Sequence, residues 1–65
     1  MIGQRIMQAR ISKHMSQREL ANKVGITRIM LAMIESGRIR RIGTKVASAL
    51  ARELDVSMVL LLCDE

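Results

Sequence analysis

No Phe, Trp, Tyr or Pro occurs anywhere in the chain. A core without aromatic rings has to be assembled from Ile, Leu, Val, Met and Ala, and six methionines give it adaptable filling. A single cysteine, Cys63, excludes an internal disulfide. With no signal peptide and no long apolar run, the expected compartment is the reducing cytoplasm. The most apolar stretch, Val59–Cys63, is far too short to span a membrane. His14 is the only histidine, which leaves no partner for a metal site and points to a surface turn residue. Paired carboxylates, Ser/His/Asp or Cys/His sets and glycine-rich phosphate loops are also missing, so the chain does not read as an enzyme and no cofactor or small-molecule ligand is expected.

Acidic residues are scarce as well: six against eleven basic ones, for a formal net charge of +5 and a pI near 10.8. That imbalance suits a polyanion such as nucleic acid. Composition alone leaves open the alternative of a small protein that is basic for no binding reason. No window alternates apolar and polar residues, and Ala, Leu, Met, Arg, Lys, Glu and Gln dominate, so the fold class is all-α. Sixty-five residues allow one domain, 1–65, which buries only ~60% of its unfolded surface and has modest stability.

The most informative stretch is Ser16–Gly37, SQRELANKVGITRIMLAMIESG. Ser16 with Glu19 makes a capping box, which starts a helix at Gln17 and gives it Leu20, Ala21 and Val24 as a buried side. Gly25 tolerates a left-handed backbone and ends that helix, and Thr27 caps a second one that runs to Gly37. Two helices this short, joined by so few residues, cannot lie antiparallel. They must cross steeply, as in a helix-turn-helix, with the second helix presented outward.

QRELANKVGI, followed by Ile34, Glu35 and Gly37, resembles the phage repressor and Cro-type helix-turn-helix regulators. Gln17, Leu20, Ala21, Gly25, Leu31, Ile34, Glu35 and Gly37 fall at that family's spacing, and Leu54, Val56, Ser57 and Leu61 resemble its closing segment. The chain departs from the pattern at RIRRIG, where the family has Pro-Ser or Pro-Arg opening the fourth helix. The resemblance implies a lambda-repressor-like compact bundle of about five short helices, with the helix-turn-helix at helices 2 and 3. It also implies a structural ion pair between Arg10 and Glu35. The competing reading of that pair is two solvated charges.

Around this unit the expected helices are Ile2–Lys13, with Ile2, Ile6 and Ala9 on one face, and Thr44–Leu54, capped by Thr44 behind a loosening Gly43. Met7 and Ile11 form a second stripe on the first helix, covered either by the Met15 loop or by a partner. On the second, Val46, Ala47, Leu50 and Leu54 face inward, Asp55 ends the helix, and Ser57 caps a fifth. Met58–Cys63 is nearly all apolar, so Val59, Leu60 and Leu62 require cover. A second copy would provide it, making a homodimer at least on DNA; truncation of a longer chain accounts for the same residues.

A helical wheel over Arg28–Ser36 sets Met30, Leu31 and Ile34 on one side and Arg28, Ile29, Ala32 and Met33 on the other. These four are the candidate base readers: Arg28 for a guanine, the apolar three for thymine methyl groups. The alternative for Ile29 and Met33 is the edge of a core stripe. Arg38, Arg40, Arg41 and Lys45 are assigned to phosphates, together with Gln17, Arg18 and Thr27 at the helix starts. Two functions follow. One is a sequence-specific double-stranded DNA-binding regulator, most simply a repressor occupying an operator. The other is an antitoxin-like or adaptor module that binds protein through the apolar helix face or the C-terminal segment.

Overall fold

The computed structural model describes residues 2–57. Within them lie four helices: α1 Ile2–Ser12, α2 Gln17–Val24, α3 Arg28–Glu35 and α4 Thr44–Leu54. The fifth helix expected after Ser57, with Val59, Leu60 and Leu62, falls outside the described residues.

Local chemistry sets the limits of α2 and α3. Ser16 Oγ accepts from the Glu19 N–H at 3.0 Å, and the Ser16 N–H donates back to Glu19 Oε1 at 3.0 Å, so the capping box is reciprocal. Gly25 (φ 88) turns the chain left-handed and donates to the Ala21 carbonyl at 2.8 Å. Two residues later Thr27 Oγ1 accepts from the Met30 N–H at 3.0 Å and starts α3. At the other end Gly37 (φ 88) donates to Ile34 O and Arg38 to Met33 O, the paired bonds of a Schellman stop.

Ile2, Ile6, Leu20, Ala21, Leu31, Ile34, Ala47, Leu50 and Leu54 form the buried cluster. α3 packs on α1 and α2, while α4 closes against α1 and α2. The crossing of α1 over the end of α3 is close enough to need Gly3. A Cβ there would run into the Ile34 carbonyl oxygen and sit 2.8 Å from that of Glu35.

Three expectations are corrected. α1 stops at Ser12, and the chain leaves it through His14 in a left-handed conformation (φ 57). Ile11 is 56% exposed and is not covered by the Met15 loop: the 3.6-residue period sets it opposite Ile2 and Ala9, and Met15 packs on the core itself. Thr44 does not cap α4 but is its first residue. Gly43 occupies the cap position in ordinary extended geometry (φ −67), with no side-chain cap bond.

Candidate nucleic-acid interface

α3 has two apolar faces with opposite fates. Leu31 and Ile34 are fully buried, whereas Ile29 is 67% and Met33 37% exposed. Arg28 is exposed, Ala32 is half-buried, and these four line an open recess of about 280 Å³ with Ser36 and Arg38. All four candidate base readers therefore share one surface. Ser36, which the sequence reading left out, joins them; its i+3 spacing from Met33 was the available signal. Its hydroxyl donates to the Met33 carbonyl at 3.1 Å, which ties it to the end of the helix.

Behind this surface runs a hydrogen-bonded chain of side chains. Arg10 meets Glu35 at two points, Nε to Oε2 at 2.7 Å and Nη2 to Oε1 at 3.1 Å, and its Nη1 donates to the Met15 carbonyl at 2.8 Å. The Glu35 side chain is only 3% exposed and that of Arg10 12%. A carboxylate at that depth requires a charged partner and further donors. Gln17 supplies one of them, its Nε2 donating to Glu35 Oε1 at 3.0 Å. At its other end Gln17 Oε1 accepts from Arg28 Nη1 at 3.4 Å, a long bond. One connected set thus joins α1, the loop after it, α2 and both ends of α3.

This arrangement gives Gln17 a structural place beside the phosphate contact expected of it. Its Nε2 bonds the buried Glu35 and its Oε1 meets Arg28 at the surface; the α1–α3 crossing that brings Glu35 within reach leaves no local sequence mark. Thr27 likewise uses its oxygen to cap α3. Arg18 is exposed on α2.

Arg38, Arg40 and Arg41 are exposed in the loop between α3 and α4, while Ile39 and Ile42 are half-buried against the core. The two isoleucines pin the loop, so its arginines project outward from a fixed base. Lys45 is exposed in the first turn of α4 and lies apart from the Arg28 recess. It lines a second hollow, of about 460 Å³, with Arg52, Ser48 and the apolar Val24, Ile26, Val46 and Ala49. Among the described residues no group of His, Cys, Asp and Glu could hold a metal ion, and no helix is long and apolar enough to cross a membrane.

A helix-turn-helix family model matches residues 6–61. No curated protein matches the chain. Among solved structures, SinR, described as the master regulator for biofilm formation and seen in complex with DNA, is 38% identical, with 94% of this chain and 97% of that one covered and a TM-score of 0.87. The N-terminal DNA-binding domain of SinR from Bacillus subtilis is 37% identical over 100% of this chain and 94% of that one, with a TM-score of 0.89. A chain of the SinR–SinI protein complex is 39% identical over 95% of this chain, which spans 60% of its length; the TM-score is 0.87.

Proposed function

The chain belongs to the helix-turn-helix family, and from that premise we propose that it is a sequence-specific double-stranded DNA-binding transcriptional regulator that lays the outer face of α3 in the major groove. The observation that carries this reading is the likeness to SinR in complex with DNA, 38% identical over 94% of this chain. The exposed recess that Arg28 lines with Ile29, Ala32 and Met33 agrees with it, because an outward second helix is the reading element of such units.

In this proposal Arg28 bonds the two acceptors of a guanine, while Ile29, Ala32 and Met33 pack on neighbouring pyrimidine methyl groups. Arg38, Arg40 and Arg41 follow a phosphate strand from their anchored loop, and Arg18 and Lys45 add contacts from the starts of α2 and α4. The first turn of α4 suits an anion: no side chain caps it and no acidic residue occupies it. The protein acts as a repressor by occupying an operator in the cytoplasm. It binds two half-sites as a homodimer through Val59, Leu60 and Leu62, a part of the proposal that rests on their apolar sequence alone.

Selection of bound duplexes from a random pool, followed by titration over a range of salt concentrations, tests the proposal. The expected result is a near-palindromic site with half-sites about one helical turn apart. Affinity should fall with salt, and Arg40→Ala and Arg41→Ala should each flatten the slope by about one unit. An absence of salt-sensitive duplex binding would move the apolar face of α3 to a protein partner.

A further inference from the structure

We propose that the recess on α3 recognises the C5-methyl group of a pyrimidine whichever base carries it, so that 5-methylcytosine and thymine are read alike. This rests on the DNA-binding reading above and deepens it by naming the chemical group the recess takes.

The reason lies in what the side chains of Ile29, Ala32 and Met33 lack. In the major groove thymine presents the O4 acceptor and a methyl group, and cytosine presents the N4 amino donor, with a methyl only when it is modified. A side chain with donors and acceptors separates O4 from N4. Ile29 and Ala32 have neither, and Met33 has only a thioether, a weak acceptor. Ile29 is followed one turn later by Ala32 and Met33, its i+3 and i+4 neighbours; Ile29 and Met33 are 67% and 37% exposed, and Ala32 is half-buried. The three line one open recess, shallow where Ala32 is short, in which a methyl group can be shielded from water.

Three polar residues, Arg28, Ser36 and Arg38, complete the lining of the recess. The Ser36 hydroxyl is bonded to the Met33 carbonyl at 3.1 Å. Arg28 and Arg38 border the recess and carry charge complementary to the phosphates beside any base step. Arg28, with donors only, reaches a guanine and leaves the adjoining pyrimidine to the apolar side chains. What remains to be read at that pyrimidine is the presence or absence of one methyl group. Enzymatic C5-methylation of cytosine would then create or restore a binding site without any change of sequence.

The test starts from a duplex selected as above and compares four versions that differ at one base pair: thymine or uracil opposite adenine, and 5-methylcytosine or cytosine opposite guanine. The methyl group should raise affinity about fourfold in the thymine/uracil pair, the effect of burying one carbon. It should do so by a similar factor in the 5-methylcytosine/cytosine pair. Ile29→Ala and Met33→Ala should shrink both factors together, and Ile29→Gln should make the two pairs diverge by restoring a hydrogen-bonding group. Circular dichroism of each variant separates these effects from loss of fold. Duplex binding with no methyl effect in either pair, or with one in thymine/uracil only, would overturn the inference and leave the DNA-binding reading standing. No binding to any of the four would remove that reading itself.

Discussion

The inner and outer faces of α3 are alike in composition and opposite in consequence. Leu31 and Ile34 look inward, Ile29 and Met33 outward, and side-chain type alone does not tell the two pairs apart. What separates them is the cover that α1 and α2 give one side of the helix. Burial turns apolar area into stability, and exposure keeps it for a partner. A helix with two apolar faces is costly to leave half uncovered, which is itself a reason to look for a ligand on the uncovered half.

Truncating each face in turn sharpens the contrast. Leu31→Ala should destabilise the fold by about 3 kcal/mol through lost burial and a residual cavity, read by urea denaturation. Glu35→Ala should cost slightly less, about 2–3 kcal/mol, because the Arg10 guanidinium it abandons is partly within reach of water. A double-mutant cycle with Arg10→Ala should return a clear coupling energy, and a value near zero would make the two groups independent.

On the outer face the expected losses move from stability to recognition. Arg28→Ala should reduce preference for guanine at one position by about 1–3 kcal/mol in competition binding, with little change in the denaturation midpoint. Thr27→Ala removes the side-chain cap of α3 and should cost about 1 kcal/mol of stability. Ile29→Ala should be the mildest, within about 0.5 kcal/mol in denaturation. A loss at Ile29 as large as that at Leu31 would dissolve the distinction between the faces and place Ile29 in a covered core.

Much of this was legible before any coordinates. The capping box at Ser16, the left-handed stop at Gly25 and the Thr27 cap are built from residues within one or two turns of each other, so the limits of α2 and α3 follow from local hydrogen-bonding rules. The outward set Arg28, Ile29, Ala32 and Met33 follows from the helical period. Less legible was the start of α4: both Gly43 and Thr44 are acceptable cap residues, and the way Ile39 and Ile42 seat the preceding loop lies beyond local rules.

By itself the sequence determined an all-α chain, the position of its helix-turn-helix and the residues α3 turns outward, because each depends on spacing along a single helix or on one cap. Tertiary structure alone decided the side-chain partners of Gln17, which bonds Glu35 eighteen positions away and Arg28 eleven away. It also decided the need for glycine at position 3, where α1 meets the last carbonyls of α3. Both depend on the angle and distance at which separate helices cross, and these are set by the whole packed core rather than by any segment of the chain.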